Sequence, residues 1–209
     1  MYRLRHYDID DTSALHRLMR EESFALLVTA SEGVPAASHL PLLLDTDSGG
    51  TDRLLGHMAK ANPQWKDFDG ETETMVMFWG PHAYISPTWY ESEKVVPTWN
   101  YVTVHAYGKP RVLSSPDDAR DVLARLTTAH ESDATGNWSM DRLPPEYVEK
   151  MINGIVAFEM PIDRLEGKFK LNQKSQAPDR EGAIKGLRET GNPEAQEVAR
   201  LMAEFSPAD

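Results

Sequence analysis

The chain has 209 residues, a formal net charge of −11 and no cysteine, which excludes a disulfide framework or a thiolate metal site and fits a reducing, cytoplasmic setting. The length suits one domain, or one with a small appendage, and no apolar run is long enough to span a membrane or serve as a signal core at MYRLRHYDIDD. An acidic chain without a basic stripe argues against direct DNA binding, because phosphate neutralisation supplies most of that affinity.

Asp10, Asp11 and Thr12 offer caps for a helix over 12–22, with Leu15, Leu18 and Met19 at helical spacing. Phe24 to Ala30 reads as a strand, Ser31-Glu32-Gly33 as a turn and Pro35 to Leu44 as the return strand of a hairpin. The Asp-, Ser- and Gly-rich segment Asp45 to Asp52 reads as a loop, and Arg53 to Lys60 as a third strand. Asn62-Pro63 places an N-cap beside a proline suited to the first helical position, opening a short helix through Trp65. Thr74 to Ile85 suits a buried strand with a bend or bulge at Gly80-Pro81, and Ser86-Pro87 repeats the cap-and-proline device. Thr98 to Tyr107 is a two-faced strand, with Trp99, Tyr101, Thr103, His105 and Tyr107 on one side and Val102, Val104 and Ala106 on the other.

Beyond this point the pattern becomes helical. Ser115-Pro116 opens a helix carrying Ala119, Val122, Leu123 and Leu126, and Pro144 to Asn153 reads as another, with Gly154 at its C′ position. Ile155 to Leu165 alternates as a final strand. The tail from Asp179 is helical, broken at Gly191 and restarted at Asn192-Pro193 with the stripe Ala195, Val198, Ala199 and Met202. Six or so hairpin-linked strands with inserted helices predict an antiparallel barrel of the α+β class.

The block from Gly56 to Gly108 holds four of the five tryptophans and four of the seven tyrosines. Rings interleaved with Lys, Asn and Thr on strands suit a flat, polar-edged, anionic ligand. Within His57-Met58-Ala59-Lys60-Ala61-Asn62-Pro63, a strand delivers Lys60 to a capped helix start, where free N–H groups and an ammonium would converge on a phosphate. A lysine on a solvated strand end is the plainer alternative. Lys168, Lys170 and Lys174 form a carboxylate-free stretch, read as a solvated basic loop or as an anion clamp. Thr98, Trp99, Asn100 and Tyr101 could frame a planar ring, or their face could be barrel core or a subunit contact. His39 is the better ligand candidate among the strand histidines, and His82 and His105 read as structural. No metal-ligand spacing, G-x-S-x-G, G-x-G-x-x-G or Walker sequence is present.

Five segments together resemble one family: SHLPLLL (Ser38 to Leu44), GHMAKANPQW (Gly56 to Trp65), GPHAYISPTWY (Gly80 to Tyr90), VPTWNYVTVHAYG (Val96 to Gly108) and EGKFKLNQ (Glu166 to Gln173). They closely resemble the PaiB family, the FMN-binding "negative transcriptional regulator" proteins, in the same order from Met1 to about Thr190. The resemblance implies a split β-barrel related to pyridoxamine-phosphate oxidase-like flavoproteins over residues 1–176, with a helical insertion near 115–154 and a C-terminal helical tail over 177–209. It implies a homodimer with flavin at the subunit interface. FMN phosphate would lie near His57, Ala59, Lys60 and Asn62. The ring system would lie along Ser38, His39 and Leu40 and the partner's Thr98, Trp99 and Asn100, with Lys170 and Gln173 completing the set. The chain reads Lys170-Leu171-Asn172-Gln173-Lys174 where family members often read K-L-S-Q-N.

Three functions follow as expectations. The first is an FMN-dependent oxidoreductase acting on an unidentified small molecule, with no acid or base named. The second is a ligand-responsive transcriptional regulator without enzymatic activity. The third is a haem-binding or haem-degrading protein with His39 or another strand histidine as axial ligand; a deazaflavin is the further cofactor alternative. No basic recognition helix accompanies the regulator reading.

Overall fold

A computed structural model describes residues 1–2, 4–31, 33–46 and 51–206. Glu32 of the expected turn and residues 47–50 of the expected loop lie outside the described residues. The elements run β1 (Asp8–Ile9), α1 (Thr12–Glu21), β2 (Phe24–Ser31), β3 (Val34–Pro41), β4 (Leu43–Asp45), β5 (Arg53–Ala59), β6 (Thr74–Ile85), β7 (Thr98–Gly108), β8 (Arg111–Leu113), α2 (Pro116–His130), α3 (Pro145–Ile152), β9 (Ile155–Lys170), α4 (Ala177–Glu189) and α5 (Pro193–Glu204). Short 3₁₀ turns cover Pro63–Asp67, Pro87–Trp89 and Met140–Arg142. The strands bond in the order β3-β2-β6-β7-β9-β5-β4, with β1 and β8 also pairing to β9. The fold is α+β around an antiparallel sheet, with β2 and β3 forming the expected hairpin in which Leu27 faces Ser38.

The described chain divides into two compact units. One comprises 1–18, 79–104 and 166–209, the other 19–78 and 105–165. In the second unit, Phe68 packs on Phe158 with ring centroids 4.8 Å apart. A separate apolar cluster joins Leu55 of β5 and Ala157 of β9 to Ala119, Val122 and Leu126 of α2 and to Val148 and Ile152 of α3. Burying each large apolar side chain contributes about 1.5–3 kcal/mol, so the α2 stripe is what holds that helix to the sheet. Beside it, the buried carboxylates Asp45 and Glu159 are each held by two guanidiniums. Arg53 and Arg125 reach Asp45 at 2.8 Å, and Arg53 and Arg111 reach Glu159 at 2.6 and 2.5 Å. Sequence patterning missed this network, because its members come from five separate elements.

In the first unit, α5 buries Ala195, Val198, Ala199 and Met202 as expected, and Phe205 meets Phe169 edge-on at 5.0 Å. Trp89 lies against α4. A Cβ on Gly186 would sit 2.3 Å from its indole, and one on Gly182 would sit 2.0 Å from its carbonyl oxygen. Only glycine at both positions lets this helix approach. Asp179 accepts from the amides of Glu91 and Ser92, both at 2.9 Å, and from the Ser92 hydroxyl at 2.7 Å. Those three bonds hold its carboxyl below the usual carboxylate range.

Three expectations need correction. The final strand continues to Lys170 instead of ending at Leu165, so Lys168 and Lys170 sit on a strand, not in a basic loop. Gly167, within that extension, marks a close approach, since a Cβ there would sit 2.3 Å from Leu15. The helix expected to end with Gly154 in a left-handed cap stops at Ile152, with Asn153 right-handed and Gly154 absent from the positive-φ glycines. The return strand read through Leu44 is interrupted at Leu42, whose amide bonds Ser23 O at 2.9 Å. By contrast, β6 has the expected bounds. Its buried positions pass from Thr74, Val76, Phe78 and Gly80 to Ala83 and Ile85, the change of parity that one extra residue produces at a bulge.

Candidate functional site

β5 ends at Ala59, and the next residues turn sharply. The Lys60 amide bonds Gly154 O at 2.9 Å, and the Asn62 amide bonds Ala59 O at 2.9 Å. Asn62 Oδ1 caps the Gln64 amide at 3.1 Å. The element that follows is a five-residue 3₁₀ turn, not an α-helix. The expected convergence of free helix-start amides is therefore absent. Pro63 has no N–H, the Lys60, Asn62 and Gln64 amides are engaged, and so short a turn has little dipole to offer.

The side chains tell a different story. Lys60 is exposed, and its ammonium has no partner among the described residues. Asn62 Nδ2 donates to Ser38 Oγ at 2.8 Å, leaving the serine proton without an acceptor among the described residues. His57, half-buried on β5, has a buried Nδ1 with no partner among the described residues, and burial pushes its pKa below the ordinary imidazole value. His57 and Ala59 share one face of β5. His39 is exposed and stacks on Phe24 with centroids 6.0 Å apart. Leu40 is buried in the core, so it can meet a ligand only through its backbone. β3 ends the strand order and bonds only to β2 among the described residues, so alternate amides along Ser38, His39 and Leu40 face away from the sheet.

The remaining candidates gather in the other unit. Lys170 donates to Thr98 Oγ1 and, at 2.6 Å, to Trp99 O. Burial, and secondarily Lys168, lowers its pKa. Gln173 accepts from the Leu171 amide at 2.8 Å and donates to Phe169 O, so both its polar atoms close a local turn. Asn172, at φ 62, donates to the Tyr90 hydroxyl at 2.8 Å. Asn100 is fully buried, opposite Trp99 on the strand; its amide meets Met202 Sδ at 3.3 Å and its Oδ1 has no partner among the described residues. Trp99 is 53% exposed and lies edge-on to Tyr84, centroids 6.0 Å apart. His82 bridges from Trp79 to Glu194, with Nδ1 2.8 Å from the carboxylate. No group of three or more potential metal ligands occurs among the described residues.

The structure thus brings Ser38 and Asn62 into direct contact in one unit, and Thr98, Trp99 and Lys170 in the other. Sequence reading missed Gln64, whose amide nitrogen reaches Ala36 O at 3.0 Å, Thr29 Oγ1 at 3.3 Å and Leu27 O at 3.4 Å. The signal for it was a long polar side chain two residues after a cap, next to a proline.

Residues 1–164 match the family model described as "Putative FMN-binding domain". The Bacillus subtilis "Protease synthase and sporulation protein PAI 2" is 35% identical over 202 residues, covering 97% of this chain and 96% of that one. An uncharacterized protein of Emericella nidulans is 33% identical, with 92% of each chain covered. Among solved structures, the flavocytochrome Anf3 of Azotobacter vinelandii superposes with a TM-score of 0.63 at 15% identity, over 81% of this chain and 72% of that one. The FAD and heme binding protein of Mycobacterium smegmatis gives 0.61 at 16% identity, over 85% and 80%. These likenesses bear out the split β-barrel fold. With the family model spanning most of its residues and a PAI 2 relative aligned along nearly its whole length, the chain belongs to the PaiB family of FMN-binding-domain proteins.

Proposed function

We propose that this protein binds FMN as a homodimeric split-barrel flavoprotein and uses it for electron transfer to or from a small molecule. The observation that carries the reading is the set of unengaged groups around the end of β5: the Lys60 ammonium, the Ser38 hydroxyl proton and His57 Nδ1. A free cation two residues before the asparagine that holds a hydroxyl donor suits a phosphate monoester, and amides facing outward from β3 suit the polar edge of an isoalloxazine ring. Residues present therefore fit the cofactor. Lys60 and Ser38 would hold the phosphate, with His57 and Ala59 lining it. The backbone of Ser38, His39 and Leu40 would meet the ring. Thr98, Trp99 and Asn100, with Lys170 and Gln173 behind them, would contribute from the partner subunit. FMN supplies hydride or single-electron transfer when bound; the chain's own residues bind it, orient it and limit water around it.

Exposure of Trp79, Tyr84 and Trp99, at 61, 47 and 53%, supports a second copy as the cover for that sheet face. Among the described residues no helix is long and apolar enough to cross a membrane. The test is titration of the purified protein with FMN and with riboflavin, read by visible absorbance and flavin fluorescence, alongside sedimentation velocity. Tight FMN binding by a dimer is expected. No spectral change on adding FMN would overturn the reading.

A regulatory role is the second reading. Its support is the name of the Bacillus relative, which ties that protein to protease synthesis and sporulation. A specific gel shift at physiological salt would favour it over the electron-transfer role, against the chain's net charge of −11.

A further inference from the structure

The Pro63–Asp67 turn is fastened at three points to the β2–β3 hairpin. Asn62 Nδ2 reaches Ser38 Oγ at 2.8 Å, Thr29 Oγ1 donates to Asp67 Oδ2 at 3.0 Å, and Gln64 Nε2 faces Ala36 O, Thr29 Oγ1 and Leu27 O. Gln64 is 5% exposed, and its buried Oε1 has no partner among the described residues. An orphaned buried acceptor is unfavourable, because it has lost its water and gained no partner. A leucine or methionine of similar size would escape that cost, so packing alone does not account for a glutamine here. What the amide does that an apolar chain cannot is tie the turn following Lys60 to the strand carrying Ser38. Its strongest acceptor, Ala36 O, is two residues from Ser38 on β3.

We propose that Gln64 is a positioning residue that sets Lys60 and Ser38 in register for a phosphate monoester, and so determines preference for the phosphorylated flavin over the unphosphorylated one. This rests on the FMN reading above. Gln64 does not touch the ligand. It acts through Ala36 and Ser38 on one side and through the backbone of the turn on the other. Loss of its N–H groups leaves the ring contacts along β3 in place and loosens only the two donors that recognise phosphate.

The experiment compares dissociation constants for FMN and riboflavin in the unaltered protein, in Gln64→Met and in Gln64→Glu, with thermal unfolding measured for each. The methionine cannot donate at all, and the glutamate keeps the shape but loses both N–H donors and, while ionised, cannot donate to Ala36 O, so one variant remains informative if the other folds poorly. The expected result is a loss of FMN affinity of about fivefold or more in both variants, with riboflavin affinity unchanged, so that the ratio between the two ligands falls. A purely structural role would lower the unfolding temperature and leave that ratio intact, which would overturn this inference alone. Binding of neither flavin by the unaltered protein would overturn the cofactor reading, and this inference with it.

Discussion

Two lysines of this protein were candidates for the same job, and they sit in opposite circumstances. Lys170 is half-buried and donates to Thr98 and Trp99, and burial lowers its pKa. Lys60 is exposed and its ammonium bonds to nothing among the described residues. The contrast extends to their neighbours, since Gln173 is closed on its own backbone while Ser38 keeps an undirected proton. A charged group whose donors are satisfied within the fold contributes to stability. One whose donors are left over is available to something outside it.

Substitution at the two lysines tests that contrast most directly. Lys170→Ala removes the donor from the Thr98 hydroxyl and the Trp99 carbonyl, and is expected to cost about 1–2 kcal/mol in chemical denaturation, whereas Lys60→Ala should stay within about 0.5 kcal/mol. Equal losses in the two variants would break the distinction. Next in size, Lys60→Ala should weaken FMN by about tenfold, or about 1.4 kcal/mol, in a fluorescence titration, and leave riboflavin unaffected. An equal loss for both flavins would place Lys60 at the ring and not at the phosphate.

A smaller effect sharpens the side of the comparison that builds structure. The folded-state pKa of Asp179 is depressed by bonds from Ser92 and Glu91. Its contribution is therefore fully present above the unfolded value of about 3.9 and fades as pH falls through the lower folded value. Asp179→Asn should flatten the acid limb of a stability-against-pH curve below about pH 4 and leave ligand affinity at neutral pH untouched. A variant whose acid limb matched the unaltered protein would show that this carboxylate does not anchor the chain around Glu91.

Local chemistry made a good part of this legible. Asn62, Ser86, Ser115 and Asn192 each cap an element whose first residue is a proline, and all four side chains accept the amide bonds expected of them. The bounds of β6 followed from its apolar run. What sequence could not display is where a polar atom finds its partner. Lys170 and Thr98 are far apart in the chain, as are Gln64 and Ala36, and neither pairing leaves a periodic trace. The same blindness ended the last strand at Leu165 and not at Lys170, because the pairing of its far end with β1 leaves no periodic trace either. It also credited the Pro63 turn with free amides that the Asn62 cap and the carbonyls of Ala59 and Gly154 had already taken.

The outer margin of β3 carries a final consequence. A terminal strand with outward amides is a template for self-association with any stray extended peptide, and such margins promote aggregation. Pro35 and Pro41 stand near its two ends and have no hydrogen to offer. They shorten the template to the few residues around His39, so that the stretch able to greet a cofactor is too brief to recruit a foreign chain.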